Sequence, residues 1–140
     1  MRDQPIYITV DSVIFFTDNS GKYILLIQRK NDPFKSQWAL PGGFLEEKET
    51  LEEGARRELL EETGIHISSM DEIGIFANPE RDPRGRVISI AFAGFAETKE
   101  ELKAGDDAGA AEWFALKDLP QLAFDHLEII ETANKKFLIQ

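Results

Sequence analysis

The chain has 140 residues, a net charge of −10, two histidines and no cysteine, and 42% of its residues are hydrophobic; this is enough chain for one domain, 1–140, with a full core. The acidity argues against a nucleic-acid backbone as the main partner, and the absence of cysteine excludes disulfides, thiolate nucleophiles and cysteine zinc sites. No apolar run is long enough for a membrane span and no secretory signal opens the chain, so a cytoplasmic protein without a membrane partner is expected.

Residues 6–16 are β-branched and aromatic and predict a strand. A polar turn, Thr17 to Gly21, leads to a second strand over Tyr23–Gln28, so the pair predicts a hairpin. Asp11 interrupts the first strand and is expected at an edge or strand end; a contact to a substrate ribose or adenine is the other option. The loop from Arg29 to Phe34 carries two positive charges. It is either a solvated connection or a place where the Arg29 fork reaches a phosphate. Trp38 is expected to pack. Pro41, Gly42 and Gly43 then force a loop.

A helix follows. Thr50 and Glu53 have the spacing of a capping box, and Gly64 supplies the positive φ wanted at a helix end. Leu51, Ala55 and Leu59 form its apolar stripe. Glu58, Glu61 and Glu62 share the neighbouring arc at i, i+3 and i+4, where like charges repel. Near a protein surface a like-charge contact at 4 Å costs about 4 kcal/mol. One Arg57 cannot neutralise three carboxylates, whereas a divalent cation can. Hard oxygen ligands point to Mg²⁺ or Mn²⁺. A solvated acidic face is the plain alternative for a charge run.

Past the helix, Ile67–Phe76 predicts a short loop and a strand. Asp82-Pro83-Arg84-Gly85 has the residues of a type I turn at a hairpin tip. Three arginines there, Arg81, Arg84 and Arg86, are candidates for holding a phosphorylated ligand. Residues 87–96 are apolar on both faces, as in a central strand. Residues 97–110 predict a long polar loop, and Glu112–Ala115 a final short strand. Asp125 and Glu128 repeat the capping-box spacing ahead of a last helix with Ile129, Ala133 and Phe137 on its core face. His126, in its first turn, is expected at the surface, with a place in a substrate pocket as the alternative. The element order predicts a mixed sheet packed between helices, an α/β (α+β) protein.

The acidic helix does not stand alone. Gly43, Glu49, Arg57, Glu58, Leu59, Glu61, Glu62, Gly64 and Ile65 fit, without a departure, the signature of the Nudix hydrolases, which this stretch resembles. The resemblance implies the Nudix-type α/β/α sandwich and hydrolysis of a nucleoside diphosphate linked to another group. It implies Glu58, Glu61 and Glu62 as metal ligands, joined by the backbone carbonyl of Gly42. It makes Arg57 the residue that holds a neighbouring carboxylate, and Glu49 a secondary ligand or orienting residue. The general base stays open between Glu58 and the later loop, where the candidates are Asp106 and Asp107, then Glu100 and Glu101.

Flanking stretches resemble the ADP-ribose-hydrolysing branch: Pro79, fifteen residues after Gly64, then residues 81–92, 105–108 and 122–126. The likeness runs from about Val10 to residue 130. It implies ADP-ribose as substrate, with Arg29, Arg81, Arg84, Arg86, Asp125 and His126 as candidate substrate contacts. It also carries a homodimer as an expectation, for which Leu60 on the polar side of the helix is a candidate contact. Two alternatives remain. One is a pyrophosphatase that clears oxidised nucleoside triphosphates. The other is a non-catalytic ADP-ribose sensor, like the related regulators in which such a domain precedes a winged helix; an intact box and a chain ending at Gln140 favour the enzyme.

Overall fold

The structure, a computed structural model, describes residues 4–99, 102 and 108–137. The loop candidates Asp106, Asp107, Glu100 and Glu101 lie outside the described residues. The strands are β1 (Tyr7–Asp18), β2 (Gly21–Arg29), β3 (Trp38–Ala39), β4 (Gly42–Phe44), β5 (Asp71–Phe76), β6 (Val87–Phe95) and β7 (Ala108–Ala115). The helices are α1 (Leu51–Thr63) and α2 (His126–Lys136), with a 3₁₀ turn at Leu116–Asp118. No described helix is long and apolar enough to cross a membrane.

The seven strands form one mixed sheet. β1 runs parallel to β6 along Tyr7–Phe15, while β5 lies antiparallel on the far side of β6. The predicted hairpin is present, but β1 and β2 pair only near their turn, from Phe15↔Ile24 to Asp18↔Gly21. Beyond that point they part. β4 then takes the edge of β1 at Thr9–Asp11, and β3 takes the edge of β2 at Ile27 and Gln28. Residues 38–44 therefore wedge into a fork in the sheet. Their glycines permit this: a Cβ on Gly42 would collide with Asp11 and with the Val10 carbonyl.

Side chains in a strand alternate between faces, and the two cores follow that parity. Val13 and Phe15 pack with Ile24, Leu26, Ala91 and Ala93 against Ile129, Ile130 and Ala133 of α2. Val10 and Ile14 pack with Leu25, Ile90 and Phe92 against Ala55 and Leu59 of α1. The helices thus cover opposite faces, giving the expected α/β/α sandwich. Helix α1 has the predicted capping box between Thr50 and Glu53, and Gly64 closes it at φ 78°. Trp38 packs edge-on against Phe114 beside the α2 core.

Five expectations change. Gly42 and Gly43, expected in a loop, form β4 with Phe44 by pairing with Thr9–Asp11 of β1, where the lack of a side chain permits the approach. Asp11 is not at an edge: it sits within β1, paired on both sides, and is 5% exposed. His126 is not on the surface but 5% exposed. Asp125 precedes α2 without capping it, because its side chain makes no cap hydrogen bond; both its oxygens are taken by Arg81. Finally, the last strand starts at Ala108, four residues early, since pairing with β2 extends to Arg29↔Ala108 despite the weak strand preference of Ala and Gly.

Candidate active site

The fork opens a cleft of about 340 Å³. Glu58 and Glu62 line one side, Arg29, Arg81 and Arg84 another, and Asp11 and His126 the buried bottom.

The acidic wall is set by α1. Leu59, fully buried, fixes the rotation of the helix, which turns Glu58 and Glu62 towards the glycines of β4. Glu62 Oε1 accepts the Gly42 N–H at 2.7 Å. A Cβ on Gly43 would stand 2.7 Å from the Glu58 carboxylate, so only glycine allows that approach. Arg57 ties the remaining acids together. Its Nε and Nη2 donate to Glu49 at 2.9 and 2.7 Å, and its Nη1 donates to Glu58 at 2.9 Å and Glu61 at 3.0 Å. These bonds, Glu49 first, raise the already high pKa of Arg57. They hold Glu49 down at about 2, helped by the Glu46 N–H. The bond expected of Arg57 to a neighbouring carboxylate is present.

Among the described residues, no group of three or more His, Cys, Asp or Glu side chains is arranged to hold a metal ion. The donor types nevertheless suit a hard cation, being carboxylate oxygens beside the two glycines of β4, which put no side chain in the way. Glu61 is turned to Arg57, more than half exposed, and does not line the cleft.

The basic wall is assembled from the end of β2 and the connection between β5 and β6. Arg81, with its side chain 4% exposed, grips Asp125 through two bonds of 2.9 and 2.7 Å. Burial alone would lower the pKa of Arg81; the Asp125 bonds outweigh that and raise it. Arg84 makes a similar fork to Asp82, at 3.0 and 2.7 Å. Burial would raise the Asp82 carboxyl, but Arg84 brings it below its ordinary value. The Arg84 guanidinium also lies 5.1 Å from the Phe44 ring and 5.5 Å from the Phe124 ring. Arg29 stacks on Phe124 at 5.0 Å and donates to the Pro33 carbonyl at 2.7 Å. Burial, then repulsion by Arg84, lowers the pKa of Arg29. Two guanidiniums on one ring are a cationic surface suited to phosphate oxygens. Phe124 holds its place with φ 53°, a left-handed backbone rare for an aromatic residue.

At the bottom, the His126 Nδ1 accepts the Leu40 N–H at 3.0 Å. Burial pushes its pKa below the usual value, against the pull of Asp11 and Asp125. With Nδ1 accepting an N–H, the ring carries its proton on Nε2. Asp11 Oδ2 accepts the Ser89 hydroxyl.

Of the residues singled out from sequence, Glu58, Glu62, Gly42, Arg29, Arg81, Arg84 and His126 meet at the cleft. Glu49, Glu61 and Asp125 stand behind it as partners of Arg57 and Arg81. Arg86 points away and donates to the Ala77 carbonyl at 2.7 Å. Sequence reasoning missed Phe44, Phe124, Asp82 and Ser89. A polar residue inside an apolar strand was the available signal for Asp11 and Ser89; Phe124 was covered only as part of the 122–126 stretch, and nothing local marked Phe44.

The signature, the sandwich and this cleft coincide with a known family: the model of the NUDIX domain matches residues 8–133, and the chain belongs to the Nudix hydrolases. It is 52% identical over 124 residues to an ADP-ribose pyrophosphatase from Methanocaldococcus jannaschii, covering 89% of this chain and 70% of that protein. It is 39% identical over 129 residues to the ADPR responsive transcriptional repressor NtrR from Acinetobacter baylyi, covering 89% of this chain but only 52% of the repressor. Among solved structures, the NUDIX domain of Shewanella oneidensis NrtR complexed with ADP ribose superimposes with a TM-score of 0.90 at 31% identity, covering 95% of this chain and 89% of that one.

Proposed function

We propose that the chain hydrolyses ADP-ribose to AMP and ribose 5-phosphate with the help of Mg²⁺ or Mn²⁺. The observation that carries this is the cleft itself, with carboxylates on one wall and stacked guanidiniums on the other. A diphosphate needs both: cations along its oxygens, and acids that hold a metal and take a proton. Arg29 and Arg84 face the anionic oxygens. Glu58, Glu62 and the Gly42 carbonyl would hold the cation, joined by Glu61 once its side chain leaves Arg57; when bound, the cation neutralises phosphate charge and makes water more acidic. Arg57 keeps Glu49 and Glu58 in position. Glu58 is the candidate proton acceptor among the described residues. Water adds to one phosphorus, the bridging P–O bond breaks, and the two phosphate monoesters leave.

The likeness to the pyrophosphatase supports the substrate. The likeness to the repressor supports a second outcome, a sensor that binds ADP-ribose without cleaving it. Purified protein with Mg²⁺ is expected to release AMP from ADP-ribose faster than it attacks dinucleoside polyphosphates or oxidised dGTP. Tight binding without AMP would establish the sensor instead, and preference for oxidised dGTP would make the protein a pool-sanitising enzyme.

A further inference from the structure

The bottom of the cleft contains two polar atoms that no described residue satisfies. With Nδ1 occupied by the Leu40 amide, the His126 Nε2–H is a donor. The nearest acceptor is Asp11 Oδ1, 3.7 Å away. That is beyond hydrogen-bond reach. Asp11 uses its other oxygen for Ser89. Both residues are about 95% buried and both line the cleft. A donor and an acceptor stand side by side on the cleft lining without closing on each other, so one further group can answer both.

The spacing narrows what that group is. Atoms 3.7 Å apart can both be reached by one oxygen at ordinary hydrogen-bond length. A side chain at position 42 would run into Oδ1, so the glycine keeps the space beside that atom open. A phosphate oxygen would meet the Asp11 carboxylate, and a cation would meet an N–H. A hydroxyl fits, because it donates and accepts through the same atom.

We propose that Asp11 and His126 form a subsite for one sugar hydroxyl of the substrate, which donates to Asp11 Oδ1 and accepts from His126 Nε2. The subsite rests on the cleft being the ADP-ribose site. It makes the two residues specificity determinants, separate from the acids on α1. A site built to hydrogen-bond a hydroxyl rejects analogues lacking it more strongly than an apolar pocket rejects a missing methylene.

The test compares ADP-ribose with four analogues: one without the 2′-hydroxyl of the adenosine ribose, one without its 3′-hydroxyl, one whose distal ribose lacks ring hydroxyls, and one with inosine in place of adenosine. Binding is read by calorimetry and kcat/KM by AMP release. One analogue is expected to lose roughly 10- to 100-fold, identifying which sugar reaches the bottom. In Asp11→Leu that loss should shrink towards none, while Ser89→Ala should keep it. Equal binding of all analogues, or an undiminished loss in Asp11→Leu, overturns the subsite; the first outcome means that a trapped water fills the gap. An inosine analogue that alone loses affinity also overturns it, in favour of a base edge. Should Asp11→Leu unfold by circular dichroism, Asp11→Asn replaces it and the wild-type series still decides. Absence of AMP release sinks only the enzymatic proposal, because the calorimetric comparison does not need turnover.

Discussion

Glu58 and Glu62 come from adjacent turns of one helix, whereas Arg29 ends β2 and Arg81 and Arg84 come from the connection between β5 and β6, far along the chain. On the first wall, spacing along α1 sets the geometry before any tertiary contact forms. On the second, each guanidinium needs its own support: Arg81 has Asp125, Arg84 has Asp82, and Arg29 has the Pro33 carbonyl and Phe124. One wall is a property of a helix and the other a property of the assembled fold. Damage to the acidic wall should therefore cost chemistry, and damage to the basic wall should cost stability as well.

The largest expected effect tests the basic wall. Arg81→Ala leaves Asp125 without its partner in a mostly buried setting, and breaking such a pair costs about 3–5 kcal/mol. Urea denaturation measures it. A loss under about 1 kcal/mol, the range of an exposed pair, would mean that Arg81 is no structural post. The next effect tests the acidic wall. Glu62→Gln keeps the shape and can still accept the Gly42 N–H, so its melting temperature should stay close to wild type. Its kcat should fall roughly 100- to 1,000-fold, as when one preorganised electrostatic group is lost. Loss of fold together with activity would erase the distinction between the walls.

A smaller effect concerns the brace behind the acidic wall. Glu49 sits at about 2 in the folded protein against an ordinary 4.5. Between those values the unfolded chain binds the extra proton. The contribution of Glu49 to stability is therefore fully present above about pH 4.5 and is lost as pH falls towards 2. Acid titration of the metal-free protein should show a shallower fall for Glu49→Gln than for wild type. Identical slopes would remove Arg57–Glu49 as a brace.

The same contrast explains what was legible in the sequence. The capping box, the Gly64 stop and the apolar stripe are local, and each stands where spacing put it. The strands were legible wherever β-branched residues dominate. The start of β7 was not, because alanine and glycine became a strand only by pairing with β2. Asp125 had the residue type and spacing of a cap, yet Arg81, 44 positions away, outcompeted the helix for its oxygens. His126 looked like a first-turn surface residue because nothing near it in sequence signals the Leu40 amide, 86 positions back. Phe124, stacked under two arginines, was marked only by lying in the 122–126 stretch, with nothing to say what its ring would carry.

The alternation along β1 has a consequence for how faithfully the site is reproduced. Odd positions 11, 13 and 15 face α2, and even positions 10 and 14 face α1. Sliding β1 by one residue against β6 would exchange the two sets. Val10 would be lifted into the polar cleft and Asp11 driven among the aliphatic side chains around Leu59. Both errors are expensive, and they occur together. The greasy interior thus acts as a proofreader for a carboxylate that it never touches, rejecting any chain alignment in which Asp11 misses the cleft.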